Sequence, residues 1–199
     1  MLRATAEALG VPAGIRVEKV NAWSEASCRR FGFGHVNYRC LYPLYARGSE
    51  ILSQSRFETV FFSTTAFPAF ALGRLWKRKF GCRIVYDYQD PWYAGESRIY
   101  DRKTAPGGML KFRLGSVLAG LVEPFAMRGA DHVISVSHSY VNSLRASYPW
   151  LRPEQFTVLP FGVPTSDFEL LAREPAAQTV YDRADGLVHF VSVGRGGPD

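Results

Sequence analysis

Arg83-Ile-Val-Tyr-Asp-Tyr-Gln-Asp-Pro-Trp-Tyr93 is the stretch from which the fold of this chain can be read. Its first half, Arg83 to Tyr88, is a short run of β-branched and aromatic residues and reads as a buried strand. Asp90 stands just past that strand. Pro91 then ends regular structure because its nitrogen carries no hydrogen to donate to a neighbouring strand. In open α/β sheets ligands bind outside the carboxyl ends of the strands, so Asp90 and Trp92 are placed for chemistry or ligand contact. Asp before Pro is also a common turn residue, and Trp92 serves equally as packing. Asp87, inside the strand, reads as a buried, hydrogen-bonded structural carboxylate.

Outward from this strand, helical and strand patterns alternate. Thr59 to Ser63 is an apolar strand. Ala66 to Phe80 reads as a helix with Phe70, Leu72, Leu75 and Trp76 on one face and Arg74, Lys77, Arg78 and Lys79 on the other, stopped by Gly81. Met109 to Arg128 reads as a long helix that Pro124 should kink or split. Asp131 to Val136 is a strand, and Ser139 to Ser147 a helix with Ser137 or Ser139 as its N-cap. Phe156 to Leu159, the short helix Asp167 to Arg173 and the strand Leu187 to Val193 follow. Upstream, Leu2 to Leu9 reads as a helix, Ile15 to Val20 as a strand, Asn21 to Asn37 as an irregular loop and Tyr38 to Ser55 as a helix. Strands alternating with helices imply right-handed crossovers and a mostly parallel sheet, an α/β fold of Rossmann-like type. The chain opens inside a helix and closes on a strand and glycine loop, so we expect a fold truncated at both ends.

The composition is that of an ordered globular chain: of 199 residues, 47% are apolar and 21% charged. Twenty-four Lys and Arg against 18 Asp and Glu give a formal charge of +6, which favours anionic partners without choosing among them. Cys28, Cys40 and Cys82 are odd in number and widely spaced, which fits free thiols in a reducing cytoplasm. No run approaches the ~20 apolar residues of a membrane span.

The order of motifs resembles glycosyltransferases of the GT-B fold, family 4. The residues that carry the resemblance are Phe62-Ser-Thr-Thr65, Asp87-Tyr-Gln-Asp-Pro-Trp92, Glu123-Pro-Phe-Ala-Met-Arg-Gly-Ala-Asp-His-Val-Ile-Ser-Val-Ser137, Thr157-Val-Leu-Pro-Phe-Gly-Val-Pro164 with Asp167-Phe168, and Phe190-Val-Ser-Val-Gly-Arg-Gly-Gly197. The resemblance implies an acceptor-side Rossmann-like domain over residues 1–173, a connector over 174–186, and the first strand and glycine loop of a donor-binding domain over 187–199. It further implies transfer of a sugar, with retention of configuration, from a nucleotide-diphosphate sugar to a glycan, a lipid-linked or a small-molecule acceptor. No cofactor, metal or nucleic acid is implied. A fragment of this extent is expected to be inactive alone.

Residue by residue, the resemblance places Gly194, Arg195 and Gly196 at the donor diphosphate. Backbone N–H groups of a glycine turn and a guanidinium suit that anion. Asp90 becomes the candidate catalytic residue, and Ser63, Thr64, Trp92, Ser137, His138 and Gly162 the rim of the acceptor cleft. The sequence also departs from the family. It has no glycine-rich loop after a first strand, no paired-glutamate segment, no histidine near Asp90-Pro91, and Phe161-Gly162 in place of Asn-Gly. Two other readings stay open: a nucleotide-sugar epimerase of the same fold, and a non-catalytic Rossmann-type binding module. The basic run Arg74, Lys77, Arg78, Lys79 and Arg83 is either a solvated face or a peripheral contact with anionic lipid at the inner face of a membrane. His35, a loop residue, and His132 and His189, in or at strands, have no clustering that suggests zinc.

Overall fold

The computed structural model describes residues 14–30, 34–90, 92–93, 109–162 and 165–173, together with 186 and 188. The chain divides into two compact units, Met1–Pro160 and Phe161–Asp199. In chain order the first unit holds α1 (Glu25–Arg29), α2 (Val36–Arg39), α3 (Leu41–Gln54), β1 (Thr59–Ser63), α4 (Phe70–Phe80), β2 (Arg83–Tyr88), α5 (Met109–Met127), β3 (His132–Ser135), α6 (His138–Ser147) and β4 (Phe156–Val158). The second unit holds α7 (Thr165–Arg173). The expected helix at Leu2 to Leu9 and the strand at Leu187 to Val193 lie outside the described residues.

The four strands form one all-parallel sheet in the order β1-β2-β3-β4, so the Rossmann-like α/β reading holds. Strands paired in chain order, joined by crossovers of one hand, put every crossover helix on the same face. Burial follows that rule. Phe62, Tyr86, Val133 and Phe156 are register partners across the sheet. The first three are buried and Phe156 packs against them, in one core with Phe70, Leu72 and Trp76 of α4, Ala126 and Met127 of α5, and Leu144 of α6. The next register row, Ser63, Asp87, Ile134 and Thr157, is exposed or half-buried. One face of the sheet therefore carries the core, while the other stays open to solvent among the described residues.

β1 and β2 have the bounds that the sequence predicts. α4 ends as its pattern requires, with Gly81 in the left-handed region at φ 71° and its N–H returning to Lys77 O. Leu75 is a correction, because it is 39% exposed. Phe70, Gly73 and Trp76 recur every third residue and meet the sheet, and Leu75 stands about 100° round the helix from Trp76. The closeness of α4 to the sheet depends on Gly73. A Cβ built there would lie 2.6 Å from Tyr86 Oη and 2.8 Å from Ile84 Cγ2. Gly73→Ala is expected to cost about 1–3 kcal/mol through overpacking, read as a shift in denaturant midpoint. A loss below about 0.5 kcal/mol would show that the helix gives way freely.

Three further elements differ from the reading of the sequence. Ile15 to Val20 forms no strand, since it joins no ladder. Its alternating charges serve ion pairs instead, with Glu18 accepting from Arg47 of α3 at 2.8 Å and from Arg16. The segment Asn21 to Asn37 is not all loop, because it contains α1 and the start of α2. α5 runs from Met109 to Met127 as one continuous helix through Pro124 and is not split there. No helix among the described residues is long and apolar enough to cross a membrane.

Candidate functional site

The carboxyl ends of β1 and β2 form a hydrogen-bonded corner. Ser63 and Asp87 are register partners. Ser63 Oγ donates to Asp87 Oδ2 at 2.8 Å, and Gln89 Nε2 reaches the same carboxylate oxygen at 2.5 Å and Ser63 Oγ at 3.2 Å. Asp87 is thus hydrogen-bonded as expected, but it is half-buried rather than buried, because its register row lies on the face of the sheet away from the core. Asp90 is exposed and has no hydrogen-bond or ion-pair partner among the described residues.

The remaining strand-end residues divide by what holds them. Thr64 Oγ1 accepts from Ala66 N at 2.9 Å, which closes the turn into α4. Ser137 is the N-cap of α6, its Oγ accepting from Ser139 N at 3.1 Å and Tyr140 N at 3.4 Å. His138 is exposed at the first position of that helix. Gly162 is exposed, with open space where a side chain would stand, and belongs to the second compact unit. Gly194, Arg195 and Gly196 lie outside the described residues. His35 accepts from Asn37 N at 3.3 Å as the cap of α2, and His132 Nε2 pairs with Thr157 Oγ1 at 2.9 Å.

Trp92 marks a cavity of about 860 Å³, within the range of small-molecule sites. The indole is 9% exposed and stacks on Phe67 with centroids 5.4 Å apart and planes 13° from parallel. Pro68 and Ala71, after β1, and Leu118, Ala119 and Val122 of α5 continue the wall. Trp23, Tyr38 and Leu41, from the segment that runs up to the start of α3, also line it. Segments that leave β1 and β2 supply one wall, so the cavity belongs to the carboxyl end of the sheet, where parallel α/β folds bind ligands. Its lining is overwhelmingly apolar. The polar groups on it come mainly from Ser24, Ser27, Cys28 and Arg39. Arg39 is already engaged, donating to Trp23 O at 2.6 Å and Gly34 O at 3.0 Å.

Behind Trp92 lies a polar network that the sequence reading missed. Trp92 N–H donates to Tyr88 Oη at 2.8 Å, Tyr88 Oη donates to Glu123 Oε1 at 2.5 Å, and Tyr148 Oη donates to Glu123 Oε2 at 2.7 Å. Glu123 is fully buried. Burial, reinforced by the Glu123 carboxyl, holds both phenols far above the ordinary tyrosine range. The signal available in the sequence was a glutamate inside the apolar stretch Leu121-Val-Glu-Pro-Phe125, since a buried acid demands partners.

The basic run is partly absorbed by the fold. Arg74 lies over the Phe125 ring at 4.5 Å and donates to Phe125 O, while Lys77 donates to Asp131 Oδ1 at 2.7 Å. Asp131 Oδ2 also accepts from Ile84 N, tying α4 and β3 to the start of β2. Arg78, Lys79 and Arg83 stay exposed. Among the described residues no three His, Cys, Asp or Glu side chains gather as a metal site.

A parallel α/β domain with a ligand-sized cavity at its strand ends is an architecture that many enzymes and binding modules share. The chain belongs to the glycosyl transferase 4-like domain family, whose model matches residues 3–162. No curated protein matches it.

Proposed function

We propose that this chain supplies the acceptor side of a retaining glycosyltransferase that takes its sugar from a nucleotide-diphosphate sugar, and that the acceptor carries an apolar portion. Membership of the glycosyl transferase 4-like family supports sugar transfer in general. The observation that carries the choice of acceptor is the apolar cavity walled by Trp92, Leu118 and Val122. A free glycan would leave such walls wet, whereas a lipid-linked acceptor would bury hydrocarbon against them at about 0.8 kcal/mol per methylene.

In this reading Asp90 faces the acceptor as an exposed acid, and Ser63 with Asp87 and Gln89 offers hydrogen bonds to sugar hydroxyls beside it. Ser137 and His138, past the end of β3, contribute further to the rim. Gly194, Arg195 and Gly196 neutralise the leaving diphosphate in place of a metal, the term that matters most as charge develops. Three unpaired thiols fit a cytoplasmic setting, and the exposed Arg78 and Arg83 fit attraction to an anionic membrane that carries the acceptor.

The test is sugar transfer by the full natural protein to a polyprenyl-phosphate-linked sugar and to the same sugar free in solution. Ala119→Phe, which pushes a ring into the cavity, is expected to raise KM for the lipid-linked acceptor about tenfold or more while leaving donor KM unchanged. Equal use of both acceptors by the natural protein, with no response to Ala119→Phe, would remove the apolar acceptor from the proposal.

A further inference from the structure

We infer that Tyr88, anchored by the Glu123 carboxyl, is a positioning residue that fixes the backbone at Trp92 and with it one wall of the cavity; its importance for binding rests on the acceptor reading above.

The phenol hydroxyl has one proton and two lone pairs. Its proton goes to Glu123 Oε1, so the oxygen is left to accept, and Trp92 N–H meets it at 2.8 Å. The orientation of the hydroxyl is therefore set from behind by a buried carboxyl that a second phenol, Tyr148, also grips. Trp92 follows a proline and leaves the strand, so no sheet ladder holds its amide. The Tyr88 oxygen does so instead, and the indole above it is clamped flat on Phe67. Tyr88 is itself 1% exposed and stands on β2, the second strand from the edge of the sheet. The wall thus rests on a rigid element through one side-chain oxygen, an arrangement suited to holding a binding surface in place.

Tyr148 provides a matched comparison. Tyr88→Phe and Tyr148→Phe each remove one phenol from Glu123, but only Tyr88→Phe releases Trp92 N–H. Amide hydrogen exchange at Trp92 is expected to speed up about tenfold in Tyr88→Phe and to stay as in the natural chain in Tyr148→Phe, the difference being one lost hydrogen bond. The binding probe is dodecyl glucoside below its micelle concentration. Its affinity is expected to fall about tenfold in Tyr88→Phe relative to Tyr148→Phe. Unchanged Trp92 exchange in Tyr88→Phe overturns the inference, and so does equal probe affinity in the two variants. If the natural chain does not bind the probe, the acceptor reading fails by itself, and the exchange comparison still decides whether Tyr88 holds Trp92. Should Tyr88→Phe not fold, Glu123→Gln with the same two readouts replaces it. Faster Trp92 exchange with weaker probe binding supports the relay there too, and natural behaviour in both overturns it.

Discussion

Above about pH 10 the first unit is expected to lose stability steeply, and the buried phenols are the reason. Tyr86 is fully buried, its single hydroxyl proton donated to Phe70 O at 2.8 Å and shared with the more distant Ala126 O at 3.3 Å. Burial holds its phenol above the ordinary range, and burial with the Glu123 carboxyl does the same to Tyr88. In the unfolded chain these groups release their protons near pH ~10, while in the folded chain they keep them. Their contribution is complete below that pH and is lost as pH rises beyond it. The slope is about 1.4 kcal/mol per pH unit for each tyrosine. Denaturant midpoints measured from about pH 8 to about pH 12 should show this decline. Tyr86→Phe should cost about 1 kcal/mol at neutral pH and flatten the alkaline slope by one proton. An alkaline slope identical to that of the natural chain would show that Tyr86 titrates freely.

The same burial explains what could be read in the sequence. β1 and β2 were legible to the residue because each is a short apolar run whose neighbours cannot continue it: Ser55 to Glu58 before β1, Gly81 before β2 and Asp90-Pro91 after it. The Trp92 corner was legible for that reason too, since a proline past a buried strand fixes where the chain must turn out. Local pattern failed where partners are distant. Glu123 takes its two phenols from 35 and 25 residues away, and no spacing rule predicts that meeting. The alternation at Ile15 to Val20 looked like a strand, but the same period serves a segment that lays Glu18 against Arg47 of α3. Trp23, Ser24, Ser27 and Cys28 of the cavity wall come from the stretch around α1, read as loop because its glycines and aromatics mask a helix of only five residues. The Glu25 and Arg29 pair, four apart and within 3.5 Å, was the one local sign of it.

Trp76→Ala is expected to be the most damaging single truncation of the core, at about 3–5 kcal/mol. The indole joins three layers. It stacks on Phe62 of β1 with centroids 5.8 Å apart and planes 22° from parallel, it lies on α4, and its Nε1 donates to Ser49 Oγ of α3 at 3.1 Å. Truncation opens a void between sheet and helix that the close α4–sheet contact at Gly73 leaves little room to collapse, and it frees α3 from its polar tie. Trp76→Phe separates these causes. It keeps most of the ring volume and loses the Ser49 bond, so about 1–1.5 kcal/mol should disappear if packing dominates. Ser49→Ala should cost about 1 kcal/mol through the same hydrogen bond, and combining it with Trp76→Phe should add almost nothing, because the two changes delete one interaction. Denaturant midpoints of the four chains give the cycle. A Trp76→Phe loss as large as that of Trp76→Ala would transfer the dominant role from the stacked ring to the hydrogen bond. α3 would then be held chiefly by that bond, and the cavity wall that begins at Leu41 would depend on Ser49.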